Sequence, residues 1–365
     1  MFLVVTRNFP PDVGGMQILM GGLSESLLNH GPVKVFANEF TDSQKYDKKS
    51  SLNIERVGGL KIFRKYRKAN LVNNFISENA NIRAIFADHW KSLELLKEEN
   101  LNKTKTFCLV HSKEINHEIG SAINKRLVKS TNKANFVIAN SHFTKKLAIN
   151  VGIDKNKIHV IYPGVNLPKK INHDSNNKAK EIYKDSFPKV ITVARLDKRK
   201  GHDKILMLIK NLKPKFPKIK YISVGLGEEE ENLISLTKEL SIENEVTFLK
   251  NINEEFKNAL IANSNLFLMP NRIEKKSVEG FGISFIEAAT YGVGAIGGKD
   301  GGSCDAISDG NTGLICDGND LNSIYENFIK FFQNENFINY GTNAKKFSEN
   351  FYWNKIIKNY LKLIN

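Results

Sequence analysis

Residues 278–287 read V-E-G-F-G-I-S-F-I-E, two carboxylates (Glu279 and Glu287) eight positions apart with glycines between them. Ile283, Phe285, Ile286, Ala288 and Ala289 have the look of a buried helix, and Gly280 and Gly282 leave backbone N–H groups uncovered just before it and at its first turn. Free N–H groups and the positive end of the helix dipole make such a turn a cradle for phosphate. Eight helical residues rise about 12 Å, so the two glutamates are expected on either side of a bound diphosphate. One would accept hydrogen bonds from a sugar, the other from a ribose. A buried helix entered through a glycine turn, with two solvated glutamates, gives the same letters, so support must come from the rest of the chain.

Working outward, short apolar runs alternate with longer stretches of helical spacing. The first series of expected strands is 2–6, 33–37, 84–87, 106–110, 136–140 and 157–162; the second is 189–194, 220–224, 245–249, 265–269, 294–297 and 313–316. Strands that alternate with helices imply parallel sheets covered on both faces, hence an α/β chain of two doubly wound, Rossmann-like domains. The polar stretch 168–188, bracketed by prolines, is the expected linker. That gives a domain over 1–167, a second over 189–349, and a closing segment too apolar for a tail. In it, Phe347, Phe351, Trp353, Ile356, Ile357, Tyr360 and Leu361 need something to dock on. Ligands of such sheets bind at the carboxyl ends of the strands, and a crevice between the two domains is the expected active site.

No run of eighteen apolar residues exists, so no membrane span is expected, and the opening M-F-L-V-V-T-R reads as a first strand rather than a leader. Three widely spaced cysteines without metal-ligand spacing fit a reducing cytoplasm. The net charge of +15 is uneven: residues 1–167 hold 25 Lys and Arg against 14 Asp and Glu. A basic first half attracts polyanions. The patch R-V-G-G-L-K-I-F-R-K-Y-R-K, residues 56–68, sets Lys61, Arg64, Lys65, Arg67 and Lys68 around Leu60, Ile62, Phe63 and Tyr66. On a helix that pattern suits an anionic bilayer surface, and a solvated basic face explains it as well.

Other residues stand at strand ends. Arg195 and Lys200 follow the strand at 190–194, where two cations suit a diphosphate, although a solvated basic loop would read the same way. Gly225 follows the next strand. Gly14 and Gly15, after the first strand, allow close backbone approach to a ligand, and Gln17 could line the site; the stretch lacks the dinucleotide fingerprint G-x-G-x-x-G. His111 stands just past the strand at 106–110. The histidines show no metal-ligand spacing and no Asp-x-Asp is present, so no metal is expected.

Taken in order, these segments resemble the retaining glycosyltransferases of family 4, over essentially the whole chain. The resemblance rests on G-G-M-Q (14–17), His111, A-N-S (139–141), P-G-V-N (163–166), A-R-L-D-K-R-K-G (194–201), V-G-L-G (224–227), E-G-F-G-I-S-F-I-E-A (279–288) and G-G-S-C-D-A-I-S-D-G-N-T-G (301–313). It implies the GT-B fold of two facing Rossmann-like domains and a nucleotide-diphosphate-sugar donor held mostly by the second domain, with no cofactor and no metal. By the resemblance, Arg195 and Lys200 match the diphosphate pair, Glu279 the sugar contact and Glu287 the ribose contact. Gly280, Phe281, Gly282, Ile283 and Ser284 would line the phosphates, Gly15 would approach them from the first domain, and His111 would lie beside the transferred sugar. The final helix, 350–365, would return to the first domain.

Within the family the opening and the M-P-N-R…V-E-G-F-G run look most like bacterial mannosyltransferases with lipid acceptors. The implied reaction moves a hexose from a GDP-mannose or UDP-glucose type of donor to a membrane lipid or lipid-linked saccharide. The implied place is the cytoplasm, peripheral at the inner face of the membrane. A small soluble acceptor keeps the same chemistry, and a basic nucleic-acid-binding protein is the reading from another class. The latter leaves Glu279, Glu287, Arg195 and Lys200 unexplained and has no recognisable nucleic-acid motif, so nucleic acid is not an expected partner. One departure stands out: Gly294 occupies a position where family members usually carry proline.

Overall fold

The computed structural model describes residues 1–365. Two compact units emerge: Met1–Asn166 with Phe351–Asn365, and Leu167–Asn350. The first is built on strands β1 (Phe2–Val5), β2 (Val33–Asn38), β3 (Asn53–Val57), β4 (Ala84–Ala87), β5 (Lys105–Val110), β6 (Phe136–Ala139) and β7 (Ile158–Val160). They form one parallel sheet in the order β3-β2-β1-β4-β5-β6-β7. The second carries β8 (Lys189–Val193), β9 (Lys220–Val224), β10 (Val246–Leu249), β11 (Leu266–Met269), β12 (Ala295–Gly298) and β13 (Gly313–Cys316). Its order is β10-β9-β8-β11-β12-β13, again all parallel. In each sheet the order reverses once, between β1 and β4 and between β8 and β11, which is where doubly wound sheets open a ligand crevice.

Strand alternation sorts the first core into two layers. Leu3, Val5, Ile85 and Ala87 face one layer of helices, and Phe2, Val4, Ala84 and Phe86 the other. The closing helix Trp353–Ile364 supplies Trp353, Ile356, Ile357 and Tyr360 to the second layer. The Tyr360 ring lies 5.8 Å from Phe86 and 6.1 Å from Phe107. Trp353 seats against Gly22 and Gly164, where an added Cβ would lie 2.2 and 2.3 Å from its ring atoms, so both positions require glycine. The chain's last turn of sequence thus completes the first unit's core.

Four expectations change. The stretch 168–188 is not a free linker: Asn172 caps a helix, His173–Tyr183, by accepting from Ser175 N at 2.7 Å. That helix buries Ala179 and Tyr183, and the Tyr183 hydroxyl donates to Leu260 O of helix Glu254–Ala262 at 3.2 Å. Cap and tertiary contact outweigh the poor helix propensity of its Asn-rich sequence. The closing segment does not act as one piece either, because Phe347 belongs to helix Asn336–Ser348 of the second unit. Strand β3 was not among the expected strands; it is an edge strand with a single buried side chain, Val57, so its apolar signal is weak. Finally, Arg56 lies in β3, paired with Asp47 at 2.7 Å, and the helix of the basic patch begins only at Lys61.

Candidate active site

In the second unit β8 runs out at Val193, and the chain continues through Arg195 and Asp197 into a tight turn, Lys198–Lys200, before helix His202–Leu212. The turn directs Arg199 and Lys200 inward: both are buried, whereas the Arg195 side chain is 69% exposed and only 3.7 Å from Asp197. Arg199 and Lys200 converge on one oxygen of Glu279. Arg199 Nη1 donates to Oε2 at 2.8 Å, and Lys200 Nζ donates to the same atom. Arg199 Nη2 also reaches Asp197 Oδ2 at 3.4 Å. Together the two cations hold the Glu279 carboxyl at about 2 despite burial, which pushes it the other way. Burial lowers Lys200 from its ordinary value, against the pull of Glu279.

Glu279 lies in the loop before helix Ile283–Thr290, so helical rise does not set its distance from Glu287. Gly282 begins the helix at φ 89°, a conformation few other residues adopt. The first amides of the helix, those of Ile283 and Ser284, have no acceptor one turn back and sit beside the loop that carries Glu279. Phe281, by contrast, is buried. Glu287, one turn into the helix, is partly buried with Lys257 Nζ at 3.6 Å. Gly225 follows β9 directly, at the same edge of the sheet. His202 is a supporting residue: its ring bridges the Tyr221 hydroxyl at 3.0 Å and Arg195 O at 3.2 Å. Burial lowers its pKa to about 4, so it stays neutral.

In the first unit, the carboxyl ends of β1, β4 and β5 gather a buried polar cluster. Asp88, fully buried after β4, accepts from Thr6 Oγ1 at 3.0 Å, Arg7 N at 2.8 Å and Ser92 Oγ at 2.7 Å. His111 follows β5, with Nδ1 3.4 Å from Asn140 Nδ2 of the A-N-S motif, and its Nε2 is buried. Burial lowers His111 to about 4. Glu114, one turn on, has Oε2 3.6 Å from His89 Nε2, and burial followed by Asp88 raises it to about 7. The backbone at Gly15 is open, since a Cβ there would meet nothing within 4 Å.

Of the expected site residues, the structure brings together Lys200, Glu279 and the amides after Gly282, and adds Arg199, the second cation on Glu279. The signal for Arg199 was present in R-L-D-K-R-K-G, but only the turn decides which cations point inward. Asp88, His89 and Glu114 were also missed; Asp88 and His89 follow the apolar run A-I-F-A directly, at a strand's carboxyl end. Gln17 Nε2 donates to Asp12 at 2.5 Å instead of standing free. Lys68 is buried and held by Thr6 O at 2.7 Å and Asn38 Oδ1 at 2.9 Å, so it cannot touch a membrane. Arg67 donates to Gly58 O, while Leu60, Ile62, Phe63 and Tyr66 are exposed. No group of three or more His, Cys, Asp or Glu could hold a metal ion, and no helix is long and apolar enough to cross a membrane.

The model for glycosyl transferases group 1 matches residues 174–351, and that for glycosyltransferase family 4 matches residues 13–169. The chain belongs to the family 4 glycosyltransferases. Among its relatives is the GDP-mannose-dependent alpha-(1-6)-phosphatidylinositol monomannoside mannosyltransferase of Mycolicibacterium smegmatis, 25% identical over 88% of this chain and 86% of that protein. The enzyme of Corynebacterium glutamicum that acts on the monoacylated form is 24% identical over 90% and 87%. Among solved structures, HepE of Anabaena in complex with UDP and glucose superposes with a TM-score of 0.81 at 17% identity, covering 99% of both chains. The two parallel α/β sheets of this glycosyltransferase are those of the GT-B fold.

Proposed function

We propose that this glycosyltransferase moves a hexose, with retention and without a metal, from a nucleoside-diphosphate sugar to a membrane lipid or lipid-linked saccharide. The observation that carries the reading is the pair of buried cations, Arg199 and Lys200, meeting on Glu279 beside the open amides of Ile283 and Ser284. An arriving diphosphate gives these cations a second counter-ion and the amides an acceptor. As the sugar–oxygen bond breaks, negative charge grows on the departing phosphate, and groups already fixed in place stabilise it without reorganising. Both ion pairs of Glu279 end on Oε2, which leaves Oε1 for a sugar hydroxyl. Glu287 takes the ribose, and neutral His111 takes the place beside the transferred sugar that the resemblance gives it.

GDP-mannose is the favoured donor, because the M. smegmatis relative is GDP-mannose-dependent; UDP-glucose is second, HepE having been solved with UDP and glucose. A lipid acceptor is supported by that relative's phosphatidylinositol substrate and by the exposed Leu60, Ile62, Phe63 and Tyr66 beside Lys61 and Lys65. The enzyme would then work as a peripheral protein at the inner face of the membrane. The test is a donor panel with the whole chain in EDTA, with nuclear magnetic resonance reading the anomeric configuration of the product. An α-linked product from an α-linked donor is expected. A β-linked product contradicts retention, and no transfer from any donor contradicts the reading.

A further inference from the structure

Helix Lys61–Glu78 has two working faces. Ile62, Phe63 and Tyr66 point to solvent, while Lys61, Arg64, Lys65 and Lys68, at positions i, i+3, i+4 and i+7, form one stripe. That stripe lines a cavity of about 400 Å³ whose other walls include Arg7, Lys91, Ser92, Glu94 and Arg126. Seven cations thus face one space, and Glu94 is the sole carboxylate in the lining. Glu94 is already taken by Arg126, at 2.6 and 3.0 Å. Asp88 lies behind the wall and is saturated by Thr6, Arg7 N and Ser92. Lys68 rests on two neutral oxygens, and Arg64 donates Nη2 to Gly59 O at 3.0 Å while its buried Nε has no partner.

Like charges one helical turn apart repel. Glu94 and the buried Asp88 offset only part of seven cations, so the cavity keeps a net positive charge. Val5 and Asn38 place it at the carboxyl ends of β1 and β2, the sheet edge that also carries His111. The mixture of guanidinium forks and ammonium point charges suits a ligand with several charged oxygens rather than a single carboxylate.

We propose that this cavity binds a phosphate ester of the acceptor, so that the sugar is delivered to a phosphorylated molecule. The inference rests on the glycosyl-transfer reading above and names the acceptor's chemistry. Arg64 and Lys91 grip the phosphate oxygens, Lys68 sets the floor, and the apolar face of the same helix is left free. The phosphate is either that of a lipid headgroup or that of a soluble ester, and the two are separable.

The experiment uses the whole chain with its nucleotide site filled by excess GDP or UDP. One arm titrates glycerol 3-phosphate, with glycerol as the neutral control. The other measures co-sedimentation with phosphatidylcholine vesicles, with and without phosphatidylinositol. Binding in the first arm assigns a soluble ester, and binding only to phosphatidylinositol vesicles assigns a lipid headgroup; either supports the cavity. In the arm that binds, Arg64→Gln and Lys91→Gln should each weaken binding about tenfold. Lys330→Gln, a surface cation of the other unit, should leave it unchanged, and unaltered unfolding temperatures would show that the variants fold. Failure of the wild type in both arms, or wild-type binding by both cavity variants, overturns the inference. If nucleotide sugar is still turned over in that case, the transferase reading survives alone. If phosphate is bound but no nucleotide sugar is used, that reading falls and the cavity stands.

Discussion

Replacing Glu279 with alanine removes the single carboxylate shared by two buried cations. The side chains of Glu279, Arg199 and Lys200 are 12%, 10% and 11% exposed, so solvent screens the loss poorly. Holding the carboxyl at about 2 instead of 4.5 corresponds to roughly 3 kcal/mol of folding free energy at neutral pH. Burial lowers Lys200 in the opposite sense, so the intact cluster contributes less than that figure. Breaking it is another matter, because stranding a buried charge costs about 3–5 kcal/mol. For a unit of this size that is a fall in Tm of roughly 6–20 °C, readable by calorimetry. A carboxyl with a depressed folded pKa stabilises above its unfolded value, and the contribution is lost as pH falls from about 4.5 toward 2. The variant should therefore lie well below wild type at pH 7 and converge with it in acid. Nucleotide affinity should fall as well, since Lys200 and Arg199 lose their anchor. A Tm within about 2 °C of wild type at pH 7, together with an unchanged acid profile, would refute the reasoning.

Tyr360→Ala should cost the first unit about 3–5 kcal/mol in denaturant unfolding, because that ring is buried against Phe86 and Phe107; a loss typical of a surface site would show that the closing helix is not part of that core. Glu114 has a raised folded pKa, so its charged form destabilises the fold as pH rises from about 4.5 through about 7. Glu114→Gln should accordingly be more stable than wild type at pH 8, by on the order of 3 kcal/mol, and should show no gain at pH 4; thermal scans at the two pH values decide it. The pair Ile62→Ser and Phe63→Ser should leave Tm unchanged while reducing sedimentation with anionic vesicles, and full retention of vesicle binding would remove the apolar face from the membrane reading.

The two sheets were legible because a fully buried parallel strand is a short apolar run, and both halves carry such runs at regular spacing. What escaped was decided by tertiary context. Asn172 and the partner helix Glu254–Ala262 turn an Asn-rich stretch into His173–Tyr183, a contact no local pattern contains. Charge pattern placed Lys68 with its solvent-facing neighbours, yet its helical position, a turn beyond Arg64 and Lys65, points it under the sheet edge. Arg195 and Arg199 are four residues apart in one motif, and only the turn Lys198–Lys200 shows which of them is buried on Glu279. In the first unit, Asp88 and Glu114 are single acids after apolar runs, ordinary letters until burial brings them beside His89 and His111.

The most direct measurement is calorimetric titration of the whole chain with GDP and with UDP in EDTA, repeated on Lys200→Ala and Glu287→Ala. A nucleoside diphosphate held by buried cations, helix amides and a ribose-binding carboxylate should bind without added metal, and each substitution should weaken it at least tenfold, about 1.4 kcal/mol. Binding that requires magnesium, or a wild-type affinity in both variants, would contradict the account.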